Sequence, residues 1–350
     1  MKIIELRSDT CSEPNEAMRQ AIYRAEIGND SWGEDPSVNA LQDMVCEATG
    51  KEAALFMSSC TMCNLAAGMT YAHSVPLGAE VLIGDYMHTY WYEVGGLSTL
   101  AHMSIRTVDC GEEYMPLKAV EDAIRPLNGH MPKTELLWLE NTYMLDSGLP
   151  IPPETMKPLY ELAHSRGIKV HLDGARIFNA AYALGVEVKD IAQYCDSVSV
   201  CMSKGIGAPY GAVLAGSKEF IQQAVRARQT LGGGMRQIGF MAAAGIYGLE
   251  HISETIPDAH RRCRMLAEAL NDIYPESVNL AKTLTNICMF DAEKAGYTAD
   301  EYRDLLWEKN IRVLVTPTKQ GMRCRFMFYP GIEDADVEYV IETVRAIGSK

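Results

Sequence analysis

The stretch SVSVCMSKGIGAP, residues 197–209, is a near-continuous β pattern that ends in Ser203-Lys204 and a glycine-rich exit. Similar short β-rich runs alternate with helical patterns through the first two thirds of the chain: AALFMSS (53–59), EVLIGD (80–85), SIRTVD (104–109), ELLWLEN (135–141), IKVHLDG (168–174) and GAVLAGS (211–217). That alternation predicts an α/β unit built on a mainly parallel sheet. PETMKPLYELAHSRG (153–167) reads as one of the intervening helices, with Pro153 near its start and Gly167 past its end, and VEVKDIAQYC (186–195) as another. After about residue 245 the pattern changes. A long helical stretch, 241–274, leads to the runs NICMFD (286–291), IRVLV (311–315) and RCRFMFY (323–329), separated by the helical patterns 298–310 and 333–348. The expected organisation is a large unit over 1–245, with an N-terminal segment that reaches the substrate, and a small α+β unit with an antiparallel sheet over 246–350.

The composition narrows what this fold can serve. With 350 residues, 47% of them hydrophobic and 22% charged, the chain can bury a large core. The net charge of -14 sets up a field that repels phosphate polyanions and anionic lipid surfaces, so nucleic acid and membrane are not the expected partners. MKIIELRSDT turns polar within a few residues, and no uncharged apolar run approaches roughly 18 residues, which points to the cytoplasm. The ten cysteines are scattered from Cys11 to Cys324, a pattern of free thiols rather than a disulfide framework.

Standing alone, Lys204 would read as a solvated lysine at a strand end. The strand KVHLDGAR (169–176), however, ends in the same manner in Asp173 and Arg176. Ligands of α/β sheets gather at the carboxyl ends of the strands. An aspartate able to pair with a pyridinium nitrogen and a lysine able to form a Schiff base are the two groups that a pyridoxal 5'-phosphate (PLP) enzyme requires of its protein. The third requirement is a phosphate seat. SSCTMCN (58–64) joins a strand to a helix, so Ser59, Cys60 and Thr61 stand at a helix N-terminus, where free N–H groups and the dipole favour an anion. Cys60 and Cys63 also form a Cys-x-x-Cys pair. A metal site would want a second pair of ligands at suitable spacing, and a dithiol would want a small thioredoxin-like setting.

LRSDT (6–10), WGEDPSVNALQ (32–42), GKEAALF (50–56), HTYWYEVGG (88–96), LENT (139–142), KVHLDGARIFNAA (169–181), DSVSVCMSKGIGAP (196–209) and LGGGMRQ (231–237) follow one another in this chain. Together they resemble the low-specificity L-threonine aldolases, in the β-eliminating-lyase group of PLP enzymes with the aspartate-aminotransferase fold (fold type I). The resemblance implies a PLP cofactor linked to Lys204, flanked by Ser203, with Asp173 on its pyridine nitrogen. It implies Ser59, Cys60 and Thr61 as the phosphate turn and His88 stacked on the ring. Ser8, Arg176 and Arg325 would hold the substrate carboxylate, with Arg323 a neighbouring competitor for the last role, and Arg176 would also border the cofactor. Arg236 would reach the phosphate region of a neighbouring subunit in a homotetramer. No metal is implied.

The same resemblance implies retro-aldol cleavage of a β-hydroxy-α-amino acid to glycine and an aldehyde, with Tyr143 at the substrate's hydroxyl side. β-Elimination, glycine transfer to another aldehyde, and a PLP-binding paralogue with little catalysis remain open. Departures from the family pattern are Cys60 and Cys63 in place of two glycines, Tyr143 in place of a histidine, Trp32 in place of a tyrosine and Gln229 in place of a lysine. Trp32, Tyr90, Trp91 and Tyr143 would offer flat apolar surface to a bulky β-substituent.

Overall fold

A computed structural model describes residues 2–73, 78–110, 114–126, 128–145 and 147–350. A two-residue strand, β1 (Ile4–Glu5), opens the chain. Seven strands then build one sheet: β2 (Ala53–Met57), β3 (Ala79–Gly84), β4 (Ser104–Val108), β5 (Lys133–Glu140), β6 (Lys169–Gly174), β7 (Ser197–Cys201) and β8 (Ala212–Gly216), in the order β2-β8-β7-β6-β5-β3-β4. β3 to β7 pair in parallel, and β8 runs antiparallel to both of its neighbours. β2 therefore points the same way as β3 to β7, and six carboxyl ends share one edge. The sheet is covered on both faces, so β3 and β7 are buried at every residue and β5 at all but its first. Trp138 of β5 is fully buried against His171 of β6, ring centroids 4.3 Å apart, a burial that contributes about 1.5–3 kcal/mol.

Local chemistry sets where the covering helices start. Helix Pro36–Thr49 has Pro36 in its first turn, the Asp35 carboxylate accepting from Val38 N at 3.1 Å, and Gly50 closing it at φ 68°. Asp35 also accepts from Gly239 N at 2.9 Å, which ties the start of that helix to the start of helix Gly239–Glu250. The helical stretch expected over 241–274 is two helices, Gly239–Glu250 and Ile252–Ile273, meeting at His251.

A second core lies under β9 (Ile287–Phe290), β10 (Ile311–Arg312), β11 (Leu314–Thr318) and β12 (Gly321–Met327), where β11-β12-β9 form an antiparallel sheet. The run IRVLV is divided at Val313 because its halves have different partners: β10 pairs in parallel with β1, and β11 pairs with β12. Ile4 and Leu6 are buried in this second core, and Met327 N donates to Leu6 O at 3.0 Å. The N-terminal segment thus packs with the small unit before passing to the edge of the large sheet.

Candidate active site

The carboxyl edge gathers Ser59 and Cys60 after β2, His88 after β3, Glu140 at the end of β5, Asp173 and Arg176 from β6, and Ser203 and Lys204 after β7. Asp173 is almost fully buried, with Oδ1 accepting from Ala175 N at 3.1 Å and Oδ2 from Asn64 Nδ2 at 2.8 Å. Burial alone would push its carboxyl up. The Lys204 ammonium, neighbouring His88 and the Asn64 bond outweigh burial and hold it below the ordinary carboxylate value. Beneath it, His171 is driven down to about 3 by burial and stays neutral, bonded to Ser197 Oγ at 2.8 Å. Burial and then nearby Arg176 oppose the charge on Lys204, and the anionic forms of Cys201, Cys60 and Asp173 favour it, leaving its pKa above the usual lysine value.

Asn64 Nδ2 also donates to Glu93 Oε1 at 2.9 Å, and the same oxygen stands 3.1 Å from His88 Nδ1. His88, Glu93 and Asp173 bring possible ligand atoms within 4.8 Å of one another. The Asn64 amide donates to both carboxylates from between them, so the cluster is internally hydrogen-bonded.

Helix Cys60–His73 begins where the sequence places it, with Ser59 Oγ accepting from Met62 N at 3.2 Å as its N-cap. The Cys60 side chain turns toward Asp173, Sγ 3.7 Å from Oδ1, and into contact with Cys201. The residue standing at the family's glycine position therefore points at the carboxylate. Cys60 and Cys63 are both buried free thiols pushed well above the usual cysteine range, Cys60 by its contact with Cys201 and by burial, Cys63 by burial.

Two guanidiniums approach this edge from another side. Arg176 Nε and Nη2 bind the two oxygens of Asp9 at 2.7 Å each, a buried bidentate pair. Arg325 donates to Arg7 O at 3.0 Å and touches Met144 Sδ at 3.3 Å, while its buried Nε has no partner among the described residues. Burial and nearby Arg176 pull its pKa down to about 10. Arg323 pairs with Asp291 at 3.1 Å. Ser8 is occupied locally, its Oγ accepting from Thr10 N and Thr10 Oγ1 at 3.2 and 2.8 Å.

Tyr143 was expected at the reacting oxygen. Its ring lies edge-on to Tyr114 at 5.2 Å, and its buried hydroxyl sits beside Cys110 without a hydrogen bond of normal geometry. Burial there pushes the phenol far above its ordinary value, so it is no base. Arg176 was expected among the groups that hold the substrate carboxylate; Asp9 takes its Nε and Nη2, which leaves Nη1 for a ligand. Arg236 is exposed and donates to Ser31 Oγ of its own chain, and Trp32, Tyr90 and Trp91 are exposed as well.

The residues present fit the cofactor that the sequence implies. A lysine and a low-pKa aspartate stand at adjacent strand ends, a capped helix of 14 residues presents its N-terminus beside them, and Arg325 carries an orphaned buried N–H. Residues 5–293 match the family described as β-eliminating lyase. The chain is also 44% identical to the probable low-specificity L-threonine aldolase 2 of Arabidopsis thaliana, covering 99% of this chain and 98% of that one. This chain belongs to the β-eliminating lyase family. Another relative is the low specificity L-threonine aldolase of Escherichia coli K12, 41% identical over 77% of this chain and 80% of that one. Among solved structures, Leishmania major threonine aldolase superposes with a TM-score of 0.80 at 16% identity, over 98% of this chain and 99% of that one, a likeness of fold.

Several residues of this β-eliminating lyase site escaped the sequence reading: Asp9, Asn64, Glu93 and Glu140. Each lies inside a motif singled out for another residue: LRSDT, SSCTMCN, HTYWYEVGG and LENT. The usable signal was a lone polar group at the end of an apolar run, as Glu140 is after LLWL.

Proposed function

We propose that this β-eliminating lyase is a PLP-dependent aldehyde-lyase that cleaves a β-hydroxy-α-amino acid, L-threonine among them, to glycine and an aldehyde. The observation that carries the reading is the buried Nε of Arg325, without a partner among the described residues and near Arg176, which is itself within electrostatic reach of Lys204: a seat for a small carboxylate on the side of the amine-binding group. The family and its aldolase relatives support the reaction class.

In this reading Lys204 carries PLP, and the N-terminus of helix Cys60–His73 with Ser59 and Thr61 holds its phosphate. Bound there, PLP supplies an electron sink for the bond between Cα and Cβ. Asp173, ionised at neutral pH, keeps a proton on the pyridine nitrogen. Arg325 and the free edge of Arg176, with Ser8 nearby, would hold the substrate carboxylate and so orient the amino acid in the site. Glu93 accepts from Nδ1 of His88, which leaves Nε2 with a lone pair to receive the β-hydroxyl proton. Arg236 and the exposed aromatic group Tyr90, Trp91 and Tyr92 serve contacts between subunits of a cytoplasmic homotetramer, with Arg236 nearing a partner's phosphate seat; light scattering of the purified protein tests that assembly.

The test incubates holoprotein with L-threonine, L-allo-threonine and L-phenylserine and measures aldehyde and glycine. Equal yields of the two products, abolished in Lys204→Ala, are expected. Release of ammonia and an α-keto acid without aldehyde would overturn the reading in favour of β-elimination.

A further inference from the structure

Glu140 is buried at the end of β5, and its two carboxyl oxygens serve two different segments. Oε2 accepts from His88 N at 2.6 Å, and Oε1 accepts from Met144 N at 2.8 Å. Met144 in turn touches Arg325 through its sulfur at 3.3 Å. The Glu140 main chain is itself clamped, since Tyr114 OH accepts from Glu140 N at 2.8 Å and donates to Glu140 O at 3.0 Å. We propose that Glu140 is a positioning residue that couples the two halves of the site: by holding the His88 and Met144 amides at once, its carboxylate sets where the His88 ring and the Arg325 guanidinium stand. The inference rests on reading the Lys204, Asp173, His88 and Arg325 cluster as the active site.

Two backbone donors are met best by the two charged oxygens of the ionised carboxylate. Protonation removes that charge and leaves one N–H facing a weaker hydroxyl acceptor, so the two-sided hold loosens. The groups facing Glu140 are Asp173 and Arg176 from β6 and its exit, His88 after β3, and the rings of Tyr114 and Tyr143. Burial first, and then Asp173, raise the carboxyl against the Met144 and His88 N–H bonds and the nearby His88 ring, to about 7. The coupling therefore strengthens as pH rises through neutrality.

Glutamine reproduces the protonated acid, with one acceptor and one donor, so Glu140→Gln is held in the uncoupled state at every pH. Wild-type kcat/KM on L-threonine is expected to rise about tenfold between pH 6 and 8.5, the size of one lost hydrogen bond to a charged group. Glu140→Gln should match wild type near pH 6 and fall about tenfold below it at pH 8.5, with glycine binding weakened by a similar factor at pH 8.5. Glu80→Gln is the comparator: Glu80 is buried in β3 but holds Arg125 and Thr134, so its variant should keep the wild-type profile whatever its melting temperature. The amide resonance of His88 in isotope-labelled holoprotein gives a second readout and should titrate near pH 7 in wild type and not in Glu140→Gln. A wild-type slope retained in Glu140→Gln, or lost equally in Glu80→Gln, would overturn the proposal. A resonance that titrates in a protein without aldolase activity would leave the coupling standing and remove the assigned reaction.

Discussion

Arg325 and Tyr143 are both buried with an orphaned polar atom, and the physics assigns them opposite roles. A guanidinium cannot shed its charge at neutral pH even with its pKa drawn to about 10, so its unpartnered Nε calls for an anion. Arg325→Leu is expected to raise KM for L-threonine at least tenfold with a smaller change in kcat, read from steady-state kinetics, because the loss falls on carboxylate binding. A neutral phenol calls for nothing. Tyr143→Phe removes a hydroxyl that has, among the described residues, only the Cys110 thiol beside it, so activity should change less than about threefold and stability should hold or rise by about 1 kcal/mol in denaturant titrations. Asp173→Asn should cost about a hundredfold or more in kcat, since an amide does not keep the pyridine nitrogen protonated.

At the scale of elements, the N-terminus of helix Cys60–His73 and the short strand β1 make separable predictions. The helix presents free N–H groups together with Thr61, so Thr61→Val should weaken PLP retention by about 1.5–3 kcal/mol, measured by cofactor release on dilution, while chelators have no effect. β1 contributes few hydrogen bonds but delivers Leu6 to the second core and Asp9 to Arg176. Leu6→Ala should cost about 2–5 kcal/mol in unfolding free energy. Loosening that segment also frees the Arg176 guanidinium from its fixed geometry, so KM should rise in the same variant.

Across the whole molecule, buried titrating groups shape the response to acid. Burial depresses His171 to about 3 and His260 to about 4, so the unfolded chain binds protons there first as pH falls below the ordinary histidine value of about 6.5. Stability from these two groups is complete above pH 6.5 and is lost on the way down. Glu140 acts with the opposite sign: its folded value of about 7 lies above its unfolded one, so its contribution is present at low pH and lost as pH rises through the same window. Two groups outweigh one, and the melting temperature should fall from pH 7 to 5. His260→Gln should flatten that fall by about 2 kcal/mol at pH 5, read from melting curves of the two proteins.

The strands, helix starts and the Lys204–Asp173 pair were legible because they are local facts. A β run, a proline in a first turn or a serine before a helix acts on its neighbours in the chain, and a parallel sheet places all its strand ends at one edge. What the tertiary structure alone decided are pairings across long separations. Asp9 meets Arg176 over 167 residues, and Asn64 meets Asp173 over 109. The orphaned Nε of Arg325, the turn of Cys60 toward the carboxylate, the burial of Tyr143 beside Cys110 and the hold of Glu140 on two amides belong to the same class. Each depends on which groups burial brings together and which it strips of water, and a desolvated polar atom takes its partner from the packed core rather than from the adjacent chain.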